Sequence, residues 1–330
     1  MELVKLEDLP DKIRFRLDEN FRKRIFDLAI KKTGSSGHLS KILGCHPDTL
    51  FKLKNGKFFI KQSTLKLLLD LTNITLKEAE SNIIEIGSKT KDKIKISLPI
   101  HATPELASLV AHSMGDGCIT NKHFSYFNLK RELIDDIILS IKVAFSTDTK
   151  PSEYEKYGGW EIEYPVNIGR LLLLVGAPLS KKVYNPFRVP KWIMKGSKEI
   201  KSSFLRALFD DEGWVKVKIN KKTKTVRRMI GINMSKNVEF IQQHEKFFED
   251  IRKLFSDLDI ETSKVIKMGK TKNGISLGII ISNFDNLSNF LISVGFINND
   301  KNIKLYSCLT SSKRFDLIEK INLSKEDNIY

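Results

Sequence analysis

Apolar residues recur at helical spacing through the N-terminal part of the chain. Phe21, Ile25, Leu28 and Ala29 line one face of "FRKRIFDLAIKKTG", and Gly34 closes that helix. Leu39, Ile42 and Leu43 make the face of a shorter helix, after which Gly44-Cys45 supplies a tight turn. Pro47 fits the first turn of a third helix, "PDTLFKLKNG", which stops at Asn55-Gly56. "TLKLLLDLTN" and "TLKEAESNII" predict two more. The lysine-rich "IGSKTKDKIK" has no apolar period and reads as a linker.

Beyond it the pattern mixes periods. In "TPELASLVAHSMGDGCI" Thr103 is a candidate N-cap and Pro104 sits at the first helical position. Leu106, Leu109, Val110 and Ser113 follow at helical spacing, and the helix ends in Gly115-Asp116-Gly117 before a strand-like segment. "SSFLRALFDDEGWV" repeats that design: Leu109 aligns with Leu205, Ala111 with Ala207, Asp116 with Glu212 and Gly117 with Gly213. A second pair supports the duplication. "NIGRLLLLVGAPLSKK" and "NLSNFLISVGFINNDK" match Asn167 with Asn286, Gly176 with Gly295 and Lys182 with Lys301.

After the second acidic segment Val215, Val217 and Ile219 alternate with Lys216, Lys218 and Asn220, which predicts a strand with one apolar and one basic face. The chain turns through "NKKTK" and returns with Thr225 and Arg227 opposite Val226, Ile230 and Ile232. Such a basic ribbon can lie in a major groove, although ordinary solvated hairpins share the pattern. Further hairpins are expected at Gly158-Gly159 and Asn273-Gly274, whereas the first copy's ribbon, "CITNKHFSYFNLK", is shorter and less basic.

Charge sharpens the picture. Lys plus Arg number 56 against 40 Asp plus Glu, a net +16, which favours a polyanionic partner. Residues 1–90 hold 17 bases and 12 acids, so the surplus is spread along the chain. Cys45, Cys118 and Cys308 are scattered and odd in number, which argues against a disulfide framework. No apolar run is long enough to span a bilayer and no secretory leader is evident, so a cytoplasmic, nucleoid-associated protein without membrane contact is expected.

The stretch "SSGHLSKILGCHPDTLFKLKNGK" resembles a phage-repressor helix-turn-helix, which implies DNA contacts from Thr49, Lys52, Lys54 and Lys57. Residues 97 to 315 resemble the LAGLIDADG homing endonucleases with two motif copies, here "LVAHSMGDG" and "LRALFDDEG". The resemblance implies an α+β chain: an all-α helix-turn-helix domain (1–88), a linker (89–96), then two pseudo-symmetric αββαββα subdomains (97–195 and 196–330) with antiparallel DNA-binding sheets. It implies a monomer that cuts both strands of a specific DNA site. Mg²⁺ or another divalent cation would be held by Asp116 and Glu212, with the carbonyls of Gly115 and Asp211 as further ligands. Small residues, Ala111, Ser113, Gly115 and Ala207, would let the two motif helices approach. Lys182 and Lys301 are the candidate catalytic cations, and Lys216, Lys218 and Arg227 the candidate DNA contacts of the second sheet. Asp210 and Asp211 are expected to be solvated, and His112 to lie at the edge of a core. Two alternatives stay open: a DNA-binding regulator that has kept the fold without cleavage, and an intron RNA maturase.

Overall fold

Asp18 starts the first long helix for a local reason. Its carboxylate accepts from the backbone N–H groups of Asn20 and Phe21, satisfying two donors that a helix start leaves orphaned. In the computed structural model, which describes residues 1–87, 93–220, 225–272 and 274–310, α1 (Glu19–Thr33) buries Phe21, Ile25, Phe26 and Ala29 and stops at the left-handed Gly34. Helices α2 (Ser36–Ile42), α3 (Pro47–Lys54), α4 (Gln62–Thr72) and α5 (Leu76–Ser81) follow.

The module is not all-helical, which corrects the sequence expectation. Strands β2 (Arg14–Leu17), β3 (Ile60–Lys61), β4 (Ile83–Gly87) and β5 (Ile94–Lys95) form an antiparallel sheet in the order β3-β2-β4-β5. "TLKEAESNII" therefore changes state halfway. Ile83 and Ile86 pair with Leu17 and Phe15 and are buried beside them, where β-branched side chains pack well on a pleat. The expected linker is also part strand: Ile94 pairs with Ile86, and both it and Ile96 are buried, while residues 88–92 lie outside the described residues. Strand β1 (Glu2–Val4) pairs antiparallel with β6 (Ile100–His101), joining the module's first residues to the lead-in of the next helix.

That helix, α6 (Pro104–Met114), opens the first copy, followed by β7 (Cys118–Ile119), β8 (His123–Asn128), α7 (Arg131–Phe145), β9 (Ser152–Lys156), β10 (Gly159–Pro165) and α8 (Val166–Leu174). The four strands are ordered β7-β8-β10-β9. A short helix α9 (Lys191–Met194) precedes the second copy: α10 (Lys198–Glu212), β11 (Gly213–Asn220), β12 (Thr225–Lys236), α11 (Ile241–Ser256), β13 (Ile266–Thr271), β14 (Gly274–Ser282) and α12 (Phe284–Ser293), with α13 (Asn299–Thr310) appended. Its strands are ordered β11-β12-β14-β13. Both copies are thus αββαββα with the same antiparallel strand order. The repeat-matched glycines Gly176 and Gly295 both take positive φ (102° and 63°) after the helices α8 and α12.

Met1–Ser180 forms one compact unit and a second begins at Lys181. In the first, Phe124, Tyr126, Ile162 and Tyr164 face the Ile134, Ile137 and Ile141 stripe of α7. In the second, α11 buries Phe247, Phe248, Ile251, Leu254 and Phe255 next to β14. Each such side chain contributes about 1.5–3 kcal/mol of transfer free energy, so these stripes fix which face of each sheet points inward. The β9–β10 turn falls one residue earlier than predicted: Tyr157 and Gly158 carry φ of 51° and 75°, as the two-residue mirror-image turn requires, and Gly159 already pairs with Lys156. Among the described residues no helix is long and apolar enough to cross a membrane.

Candidate nucleic-acid interface and acidic site

In the first unit, α6 is buried along its length, including Ala111, Ser113 and Met114. The Ser113 hydroxyl donates to the Leu109 carbonyl at 2.8 Å, so it can be small and buried without an unmet hydrogen bond. Thr103 caps the start as predicted, its hydroxyl accepting from Leu106 N–H. At the other end Gly115 N–H donates to Ala111 O and Gly117 N–H to His112 O. A Cβ on Gly117 would stand 2.8 Å from that same His112 oxygen, so only glycine lets the chain fold back this tightly. The result is that Asp116 is exposed at the apex of the turn. Its carboxylate accepts from Asn128 Nδ2 at 3.2 Å. His112 is fully buried, edge-on to the Tyr126 ring, with Nε2 3.6 Å from Asp136.

The second copy reaches the same backbone outcome with different chemistry. Helix α10 runs through all three acids to Glu212, and a Cβ on Gly213 would meet Phe209 O at 2.5 Å. Asp210 is not solvated, contrary to the sequence expectation. It is 3% exposed, and its two oxygens accept from the backbone N–H groups of Ile297 (2.7 Å) and Asn298 (3.0 Å). Arg206 donates to Val294 O at 2.6 Å and the Ser202 hydroxyl to Ser293 O. Ser202, Arg206 and Asp210 are spaced by four, one polar stripe that clasps the corner between α12 and α13; the spacing was visible in the sequence and is the signal that could have found it.

The corner returns a lysine. Lys301 Nζ donates to the carbonyls of Phe209 (3.0 Å), Asp210 (2.6 Å) and Gly213 (2.7 Å). Helix ends leave their last carbonyls without intrahelical partners and carry negative dipole charge. An ammonium bonded there offsets both, which is how α10 can end in carboxylates. Lys301 thus reaches the acidic terminus but spends its three donors on backbone oxygens.

The other lysine of the pair lies in a different setting. Lys182 is half-buried in the segment before α9, and its carbonyl accepts from Lys236 Nζ at 2.5 Å. That ammonium also donates to Asn185 O at 2.9 Å and sits 3.8 Å from the Phe187 ring centroid. Desolvation pushes Lys236 down to about 8. Arg188 adds a two-bond clasp to the buried Asp250, both contacts 2.6 Å.

Register fixes the outward face of each sheet. In the second, Lys218 stands directly opposite Arg227, and Lys216 opposite Met229; both lysines and Arg227 are exposed. Like charges directly opposite are destabilising, so this pair costs stability unless an anion screens it. Trp214, which the sequence reading missed, shares this face. Its Nε1 donates to Asn233 at 2.9 Å, Asn233 donates to Ser276, and the Lys216 ammonium lies 4.5 Å from its ring centroid. The connecting residues 221–224 lie outside the described residues, as does Asn273 of the second predicted turn. The first copy's corresponding face carries Glu161 and Glu163 beside Tyr154, with Lys156 bonded to Glu161 at 3.1 Å.

In the N-terminal module, Lys52 and Lys57 are exposed and Thr49 half-buried, whereas Lys54 pairs with Asp27 at 2.5 Å. Buried Arg22 donates to Lys54 O and Leu17 O, and the left-handed Gly56 passes over its guanidinium where a Cβ would collide at 2.6 Å. Phe51 and Phe58, 61% and 44% exposed, sit among these lysines, with Lys52 over the Phe58 ring.

Residues 199–295 match the LAGLIDADG-like domain family. Among curated proteins, the chain is 27% identical over 208 residues to a tRNA-splicing ligase RtcB of Methanopyrus kandleri, covering 58% of this chain and 20% of the relative. It is 22% identical over 316 residues to a glutamine–fructose-6-phosphate aminotransferase of Methanocaldococcus jannaschii, covering 94% and 26%. A replication factor C small subunit of the same organism is 30% identical over 129 residues, covering 38% and 7%. The chain therefore spans about a quarter or less of these relatives. Among solved structures, I-DmoI in complex with DNA and Mn gives a TM-score of 0.37 at 13% identity, covering 59% of this chain and 98% of that one. The DNA-bound homing endonuclease I-WcaI gives 0.38 at 18%, covering 62% and 87%. The N-terminal LAGLIDADG domain of DUF199/WhiA gives 0.34 at 14%, covering 68% and 90%.

Proposed function

We propose that this chain is a site-specific endonuclease that hydrolyses both strands of duplex DNA, with the N-terminal module adding DNA contacts through Thr49, Lys52 and Lys57. One observation carries the reading: in both copies a buried helix ends in an acid-glycine pair, beside a sheet of the same strand order, and the second copy matches the LAGLIDADG-like domain. The donors suit a hard cation. Asp116 and Glu212 offer carboxylate oxygens and Gly115 and Asp211 backbone carbonyls, and Mg²⁺ commonly takes one or two carboxylates with substrate phosphates completing its shell. A cation held there would supply electrostatic stabilisation to the charge that develops as a phosphodiester is cleaved. The chain's own residues do the rest. Gly117 lets the chain expose Asp116 at a tight turn, Gly213 lets β11 start directly after Glu212, Lys301 steadies the end of α10, and Lys182 is the candidate contact to a phosphate. Lys216, Lys218 and Arg227 bind the backbone of the duplex, and Trp214 and Asn233 face its bases.

The curated relatives are named for a ligase, an aminotransferase and a replication factor. A segment shared by proteins of such different activities is better read as carrying its own than as a part of theirs. A second reading, a DNA-binding regulator without cleavage, is favoured by Lys301, whose ammonium donors are already engaged. Incubating the protein and Mg²⁺ with a randomised duplex library separates the two. Cleavage at a defined sequence, lost in Asp116→Asn and in Glu212→Gln, supports the nuclease. Selective binding with every bound duplex intact would leave the regulator standing instead.

A further inference from the structure

Resting on the reading of Asp116 as a metal ligand, we infer that Asn128 is its positioning residue, an amide locked by three hydrogen bonds so that it holds one carboxylate oxygen in place. Asn128 lies at the end of β8, in the same unit as Asp116. Its Oδ1 accepts from the backbone N–H of Lys130 at 3.0 Å. That bond settles which end of the amide is which: the NH₂ must face the other way. Both of its hydrogens are then used, one on Asp116 Oδ2 at 3.2 Å and one on the Tyr126 hydroxyl at 3.1 Å.

The anchor behind the amide is rigid. Tyr126 is 1% exposed, its ring packed edge-on to the fully buried His112 at a centroid distance of 5.2 Å. His112 in turn lies 3.6 Å from Asp136, which accepts from Ser108 at 3.2 Å. Asn128 therefore ties the exposed carboxylate at the apex of the turn to the core of its own copy. A neutral donor suits this task. It fixes the carboxylate's rotation yet brings no positive charge to compete with an incoming cation, as a lysine or arginine would. At the second copy's acid turn Lys301 acts on the backbone of α10. Groups that orient a metal's ligands from behind typically contribute 10- to 100-fold in metal affinity.

The test is Mn²⁺ binding to the full-length protein without DNA, measured by calorimetry, beside thermal melting. Asn128→Leu should weaken Mn²⁺ binding about tenfold with the melting temperature and metal-independent DNA affinity unchanged. Tyr126→Phe, which keeps the ring and its packing, should weaken it by about threefold and serves if the leucine variant does not fold. Asp116→Asn is the reference and should abolish the binding assigned to this copy. If Asp116→Asn loses Mn²⁺ while Asn128→Leu and Tyr126→Phe bind as the unsubstituted protein does, the positioning role is wrong and the metal reading survives. If Asp116→Asn binds normally, or the unsubstituted protein binds none, the metal reading fails and the inference with it.

Discussion

The two copies share a strand order and an acid-glycine turn, yet their outward sheet faces carry opposite charge. The second shows Lys216, Lys218 and Arg227; the first shows Glu161 and Glu163, with Lys156 bonded to Glu161. Their acid turns are also held differently, one by a neutral amide on the carboxylate and the other by an ammonium on the helix end. What repeats is the backbone geometry, down to two glycines that touch the preceding helical turn; what varies is the polar chemistry mounted on it. Duplication preserved the part that steric packing enforces and left the charged surface to diverge.

The sharpest way to break the comparison is to remove one acid at a time. Asp116→Asn and Glu212→Gln should each lower double-strand cleavage by at least about 100-fold, the scale that even outer-shell partners reach. Nicking of a single strand in one variant and of the other strand in its counterpart, read on denaturing gels, would assign a copy to each strand. Next in size is the helix-end lysine. Lys301→Met should destabilise the second unit by about 3 kcal/mol in urea denaturation, because three carbonyls lose a charged donor. Equal stability to the unsubstituted protein would show that water replaces the ammonium without cost.

A smaller effect is expected on the sheets. Lys218→Ala or Arg227→Ala should reduce the slope of log affinity against log salt by about 1 each. Glu163→Gln in the first copy should leave that slope unchanged, and an equal change in both copies would erase the charge distinction. A pH dependence is expected in the second copy as well. His244 is buried, donates from Nε2 to Met234 O, and is pushed down to about 4 by desolvation. Between pH 6.5 and about 4 the unfolded chain takes up a proton that the folded one refuses, so stability falls as pH falls through that window. Hydrogen exchange should register the loss in α11 and β12, and His244→Phe should flatten the pH slope.

The repeat, the helix cap at Thr103, Pro47 in the first turn of its helix, and the period-two ribbon from Val215 were legible because each depends on residues close in sequence. The β2–β4 pairing was not: "RFRL" is short, and Ile83 and Ile86 continue an apparent helix until a distant partner claims them. Asp210 and Asp211 are adjacent and chemically identical, and only the rotation of α10 about its axis decides that the first is buried. Asn128 carried no signal at all, since an asparagine at a strand end is ordinary until the turn that it touches is known.

The pairing of Glu2–Val4 with Ile100–His101 bears on biosynthesis. Strand β1 is made before its partner and can pair only after residue 101 has followed it. Closing that ladder couples completion of the first module to the start of the first repeat, so a nascent chain cut short before residue 101 should be more open to proteases than one that extends past α6.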